Sequence, residues 1–390
     1  MPSAQPLSPF FVGLDADGTG THPASAGVTG LAGADLVSGD RLARSVRQAE
    51  NAGLTFVSFA DALLPAVPGS PASARLDAVT RAAFVSRTTT AIGLVPQVPT
   101  TYPEPFHVAA QLASLDIATA GRAGWVPSVT RDTETAAAYG RAAVPDLERE
   151  ARDVVQVVRY LWDSWEDDAV VRDVTTGRYL DRNRVHYVDF EGKSFSVKGP
   201  LITPRPPQGQ LVVLAADGDI APALGPGADL RSTTEQLVDV ALVGGSDVAA
   251  VRAGAVSARE RSPRVGVDIE VVLDAGGRTG ADRLAELDAG APPASRTPWG
   301  SGALRHVGSA AGLVALLVNL ATPGPDGRRP VDGVRLLPAV LDVDLPVLAR
   351  DVLPALRAAR LTAAPRPGAT LRDALGLPRP ANRYDLRVSA

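Results

Sequence analysis

The sequence contains no cysteine, which excludes disulfides, thiolate nucleophiles and cysteine-ligated metals. Its four histidines, His22, His107, His186 and His306, are scattered and form no HExxH helix, so no histidine-rich metal centre is expected. Lysine is nearly missing: Lys193 and Lys198 are the only two. There is no strong charge of either sign, and the net charge of −4 argues against nucleic acid or an anionic membrane as the main partner. No run of about 18 apolar residues occurs and no charged-then-apolar leader opens the sequence, so a cytoplasmic protein with no membrane partner is expected. A GxSxG nucleophile elbow, a Walker loop and a GxGxxG turn after a strand are also lacking.

What is present is an ordinary globular composition, 45% hydrophobic and 21% charged over 390 residues. That length is within reach of one α/β barrel with insertions. Apolar runs of strand length alternate with amphipathic helical stretches, the pattern of a parallel sheet. Eight strands are expected: 10–14, 55–60, 90–95, 122–126, 211–215, 238–243, 265–272 and 333–337. Helices fit between them at 40–52, 73–87 (with Ser73 as N-cap), 104–120, 144–165 and 345–359. Eight βα units predict an α/β fold, a closed (β/α)8 TIM barrel. Residues 167–210 form an insertion after strand 4, and residues 275–306, rich in Gly, Ala and Pro, read as an excursion. Residues 362–390 read as an irregular C-terminal arm, lying over the barrel or onto a partner subunit. No repeat or boundary divides the chain, so 1–390 is expected to be a single barrel domain.

Several residues invite a functional reading beside a plain one. Gly18-Thr19-Gly20 follows the first strand and could approach a phosphate through backbone amides, or be a loop at the barrel mouth. Asp61 stands at the C-terminal rim of strand two, where barrel enzymes keep their chemistry, or caps the next turn. Thr100 and Thr101 open the TTYPEP segment past strand three, as ligand donors or as residues of a helix start. His107 reads as a packed, hydrogen-bonded side chain. Trp162 and Trp165, three apart on a helix, read as packing residues. Glu166-Asp167-Asp168 reads as a solvated turn. Spacing alone leaves a barrel of unspecified activity.

The stretch VRYLWDSWEDDAVVRD, closing with VHYVDFEGKSFSVKGPLITPRPPQGQ (158–210), resembles one subgroup of the bacterial luciferase-like flavin-dependent monooxygenases. That subgroup oxidises nitrilotriacetate, dibenzothiophene sulfone and long alkanes. The segments IGLV with TTYPEPFH, LASLDIATAGRAGWV and GATLRDALGLPRPANR are similar to the same family in the same order. The resemblance implies a two-component reaction on a small-molecule substrate. A separate flavin reductase supplies reduced FMN, oxygen is activated on the flavin, and the protein binds, orients and excludes water. It also implies a homo-oligomer.

Carried over position by position, the resemblance makes Asp61 and Gln97 the cofactor-binding candidates and names no catalytic residue or metal. Other flavin-contact positions differ. Val126 stands where the family has Asn, and Val144 and Glu148 stand where it has His and Tyr. Asp219 replaces a Ser that usually holds the FMN phosphate. An Asp facing a phosphate would cost roughly 1–4 kcal/mol, and a lost donor to a charged group about 1.5–3 kcal/mol. Loops between Asp61 and strand three, and between strand five and His306, are shorter than in relatives. Two readings therefore stand: an FMNH2-dependent monooxygenase, or a degenerate member that has lost tight FMN binding and acts as a non-catalytic subunit or ligand-binding protein. A deazaflavin is a third ligand the fold class would admit.

Overall fold

In the computed structural model, the structure describes residues 8–31, 33–64, 74–220, 236–291, 299, 302–324 and 327–385. The strands in chain order are β1 (Phe11–Asp15), β2 (Phe56–Phe59), β3 (Gly93–Pro99) and β4 (Gly124–Ser128). Two small hairpins follow, β5 (Val170–Asp173) with β6 (Arg178–Leu180) and β7 (Phe190–Glu191) with β8 (Ser196–Val197). Then come β9 (Val212–Ala216), β10 (Val240–Val243), β11 (Arg264–Leu273), β12 (Leu304–Gly308) and β13 (Gly333–Pro338). The sheet order β10-β9-β4-β3-β2-β1-β13-β11 closes through β10–β11, with every pairing parallel. This is the expected (β/α)8 barrel, built from the eight expected strands. Buried on both faces, these strands read as near-continuous apolar runs, which is why they were legible. FVGLD, FVSF and VALV are buried at every position.

The barrel interior has a dry end. Phe11, Phe56, Val95, Val126, Val212, Leu214, Val240 and Leu242 pack there with Leu371, Leu375 and Leu377 of the arm. Gly13 and Gly333 make room for the rings: a Cβ would stand 2.2 Å from Phe56 at the first and 2.2 Å from Phe11 at the second. The arm thus plugs the end of the barrel where the strands begin. Leu371 N donates to Gly121 O just before β4, and Arg264 at the start of β11 bonds Leu375 O and Gly376 O. Residues 386–390 lie outside the described residues.

A buried ionic knot holds this plug. Arg372 donates to Gln210 O at 2.7 Å and to Asp239 at 3.1 Å, while Arg159 donates to the other Asp239 oxygen at 2.7 Å. Burial pushes the Asp239 carboxyl up, but Arg159 and Arg372 outweigh it and hold the group below the usual carboxylate range. Both guanidiniums are needed to offset the desolvation of one buried carboxylate.

Three expectations change and a fourth gains detail. The second long helix spans Ala78–Ser86 and is capped by Asp77, which accepts from Thr80 N at 2.7 Å. The proposed cap Ser73 lies outside the described residues, and 74–77 are not helical. The 275–306 excursion carries the helix Gly280–Ala289 and a ninth strand, β12, which extends the barrel wall against the upper half of β11. Glu166-Asp167-Asp168 leads into a turn with Asp167 and Asp168 exposed, as expected, but its acids are ion-paired, which was not. Glu166 binds Arg184 (2.8 Å) and His186 (2.7 Å), Asp168 binds Arg184 (2.7 Å), and Asp167 binds Arg205 (3.0 Å) and Arg379 (2.7 Å). The Arg379 hydrogen bonds first, and Arg205 after them, hold the Asp167 carboxyl down to about 2. Glu166 and Asp168 tie up the insertion itself, and Asp167 joins it to the arm. His107, expected to be packed, is exposed on the helix Pro105–Ala118, because it falls on the face turned from the barrel.

Trp162 and Trp165 do pack. Trp162 is fully buried and donates to Ala109 O at 3.1 Å, with Trp125 edge-on at 6.2 Å, and Trp165 donates to Leu201 O at 2.8 Å. Among the described residues, no helix is long and apolar enough to cross a membrane.

Candidate functional site

The polar end of the barrel is where the strands finish. Inward residues recur every second position, so the face of β1 that carries Phe11 also carries Asp15, the face of β13 that carries Gly333 carries Arg335, and Asp268 is register-paired with Arg335 on β11. Arg335 donates to both Asp268 oxygens at 2.8 and 2.6 Å, a bidentate pair. Asp15 accepts from the Ser58 hydroxyl of β2 at 3.0 Å. Burial first, and Asp17 second, push the Asp15 carboxyl up to about 6, against the pull of Arg335, Ser58 and Arg81. Above them, Glu270 of β11 pairs with Arg305 of β12 at 2.9 Å. The Arg305 guanidinium lies 4.3 Å over the Trp299 ring.

The two cofactor candidates meet at this rim. Gln97, inward on β3 and register-paired with Val126, donates from Nε2 to the Asp61 carbonyl at 3.1 Å. Both oxygens of the Asp61 side chain accept backbone N–H groups, from Ala62 and from Ala78 at the start of the next helix, each at 2.8 Å. Burial, with a lesser push from Asp77, raises this carboxyl above its usual range in spite of those bonds. A carboxylate anchored in this way caps the helix entry, whatever else it touches. Replacement by alanine, Asp61→Ala, is expected to lower stability by about 1 kcal/mol, read as a shift of the urea midpoint at unchanged slope.

The other sequence-picked residues are placed as follows. Thr100 donates to Ser128 O at 3.1 Å, whereas the Thr101 hydroxyl is fully buried with no partner among the described residues. Tyr102 follows it in the left-handed region (φ 76°), its ring stacked 5.4 Å from Tyr139. The Gly18-Thr19-Gly20 loop is tied down. Thr19 and Ser25 share a hydrogen bond of 2.7 Å, and a Cβ on Gly20 would stand 2.3 Å from Ala339 O. Gly20 thus serves close approach to the chain after β13. Val126 is buried inside the barrel, while Val144 and Glu148 flank the start of the helix Leu147–Trp162, the first half-buried and the second exposed.

Asp219 changes meaning. It is ion-paired with Arg131 at 2.8 Å, across the gap between the chain leaving β4 and the chain leaving β9. The like-charge cost assigned to a phosphate beside Asp219 assumed a bare carboxylate, and Arg131 removes that assumption. Sequence reasoning missed Asp15, Arg131, Asp268 and Arg335. For the three strand residues a signal existed: a charge at an inward position of an otherwise apolar strand. Among the described residues, no group of three or more His, Asp or Glu is arranged to hold a metal.

A family model described as luciferase-like monooxygenase matches residues 18–275, which include β2, β3, β4, β9, β10 and β11. N-acetyl-S-(2-succino)cysteine monooxygenase of Bacillus subtilis is 33% identical over 58% of this chain and 51% of its own length. Nitrilotriacetate monooxygenase component A of Aminobacter aminovorans is 39% identical over 46% of this chain and 38% of its own length. The matched region thus spans about half or less of these curated relatives. In fold, the chain is similar to EDTA monooxygenase from Chelativorans sp., with TM-score 0.77 and 20% identity over 95% of this chain and 99% of that one. The chain belongs to the luciferase-like monooxygenase family.

Proposed function

We propose that the chain is the oxygenase of a two-component flavin-dependent monooxygenase, working as one barrel unit on a small organic molecule with reduced FMN delivered by a separate reductase. The observation that carries this reading is the family match across six of the eight barrel strands, whose ends form a polar mouth over an apolar floor. Relatives at 33% and 39% identity are named as monooxygenases.

The residues at the mouth fit reduced FMN. Val126 caps the apolar interior beside Gln97, whose amide is held by Asp61 O. The buried, unpartnered Thr101 hydroxyl is a donor in want of an acceptor. Arg131, about half exposed beside Asp219, is a cation that a phosphate can take over. Reduced FMN, when bound, supplies the electrons that activate oxygen. The chain's own part is to hold the ring with Gln97 and Asp61, grip the phosphate with Arg131, and keep water from the floor. The Arg131 pair removes the charge argument for the non-catalytic reading, whose remaining basis is the replaced donors at Val126, Val144 and Glu148 and the shorter loops.

Gln97→Ala is expected to weaken reduced-FMN binding about tenfold, the loss of one hydrogen bond to the ring. Asp61→Ala is expected to weaken it less, because Gln97 is held by the main-chain oxygen of residue 61. Anaerobic fluorescence titration of both variants measures this, and equal losses would place the Asp61 carboxylate itself on the flavin. For the activity, the chain with a flavin reductase, NADH, FMN and 18O2 is screened against small organic substrates by mass spectrometry. One 18O atom in product is the expected result. Oxidised products that never carry the label would overturn the monooxygenase reading.

A further inference from the structure

Asp15 differs from every other carboxylate at the mouth in how little holds it. Asp17 is bound by Arg75 (2.9 Å) and Arg81 (2.8 Å), Asp268 by Arg335, Glu270 by Arg305, Asp219 by Arg131, and Asp61 by two backbone amides. Asp15 is 7% exposed, accepts one hydrogen bond, from Ser58, and has no ion-pair partner among the described residues. Arg335 is near enough to act on it through space but gives two of its nitrogens to Asp268. A buried carboxylate with one bond retains unused acceptor capacity, and it projects inward at the end of the strand where ligands enter a barrel. The apolar side chains of Val126, Leu214 and Leu242 line the interior below this level.

We propose that Asp15 is a specificity-determining residue, which selects substrates that present a protonated nitrogen to it. The inference rests on the reading of the mouth as a substrate chamber. An ammonium would supply the cation and the donors that the protein withholds from Asp15. A ligand carboxylate brought to the same place would meet like charge in a poorly solvated setting.

The groups facing Asp15 set a pH dependence. They are Asp17 on the following loop, Arg335 of β13 backed by Asp268 of β11, Arg81 of the helix Ala78–Ser86, and Ser58 of β2. With the Asp15 carboxyl at about 6, the ionised fraction rises about tenfold between pH 5 and pH 7. The affinity for an ammonium ligand should rise by the same factor.

The test uses calorimetric titration of the full chain with three probes of one shape: phenethylamine, 2-phenylethanol and phenylacetate. The amine is expected to bind best and the acid worst at pH 7.5. Amine affinity is expected to rise about tenfold from pH 5 to pH 7, with proton release at the lower pH. Asp15→Asn is expected to lose about tenfold in amine affinity and to flatten the pH profile. Phenylacetate binding as well as the amine, no amine binding at all, or an Asn variant that keeps the preference would each overturn the inference. The wild-type pH profile stands even where the variant folds poorly. Titrating the same protein with reduced FMN separates the two readings. Flavin binding without amine preference sinks this inference alone, and amine preference without flavin binding sinks the monooxygenase reading alone.

Discussion

Arg372→Ala lowers the stability of the chain by about 3–5 kcal/mol, the usual consequence of removing one partner from a buried ion pair. Four contacts go at once. Arg372 bonds Gln210 O at 2.7 Å, Leu211 O at 3.3 Å, Pro378 O at 3.4 Å and Asp239 at 3.1 Å. Asp239, 5% exposed in the intact protein, then keeps only Arg159 as ion-pair partner beside the Val213 amide. The arm loses its grip on the N-terminal end of the barrel, and Leu371, Leu375 and Leu377 are the hydrophobic plug it holds in place. A control lies in the same arm. Arg379 pairs with Asp167 at 2.7 Å, but both side chains are nearly half exposed, so Arg379→Ala is expected to cost below about 1 kcal/mol. Urea unfolding of the two variants beside the parent reads the contrast. Equal losses would mean that the arm is held by the rim of charges and not by the buried knot.

The second large effect is a pH dependence. The Asp15 carboxyl is raised from 3.8 to about 6 in the folded protein. Between those values the native state binds more protons than the unfolded chain, so stability falls as pH rises from about 4 to about 6. Above that window the full cost, about 3 kcal/mol, is present. Asp15→Asn does not titrate and still offers an oxygen to the Ser58 hydroxyl. Its stability relative to the parent is therefore expected to improve by about 3 kcal/mol between pH 4 and pH 8. Asp116, also raised to about 6, chiefly by burial, titrates in the same window. It is common to both proteins and cancels in the difference. Denaturant midpoints at four or five pH values suffice, and a difference that stays flat with pH would show that Asp15 is ionised throughout.

The strands were legible because a parallel barrel strand is buried on both faces and so appears as an unbroken apolar run. The insertion and the arm were legible as breaks in that rhythm. The joints between distant parts were not. The turn at Glu166-Asp167-Asp168 was legible, but not its pairing with Arg184, Arg205 and Arg379 from up to 212 residues away. The same distance problem hid Arg131, 88 residues from Asp219. That omission turned an ion pair into an imagined bare charge and overstated the case for lost flavin binding. Asp15, Asp268 and Arg335 were hidden differently. Each is a single charge within an apolar strand, and strand spacing shows only which face it takes. That the three inward faces converge follows from closure of the barrel. Asp61 and Gln97, named in the sequence as cofactor positions, stand side by side at the rim. The hydrogen bond between them runs through the main chain of residue 61, which no side-chain pattern reports.

The central claim is that this mouth receives reduced flavin. Anaerobic titration of the purified chain with reduced FMN, alone and with Arg131→Ala, tests it most directly. Saturable one-to-one binding with Kd below about 10 μM, weakened about tenfold or more by loss of the Arg131 cation, is the predicted result. Absence of saturable binding up to about 1 mM, no more than about 4 kcal/mol of affinity, would contradict it.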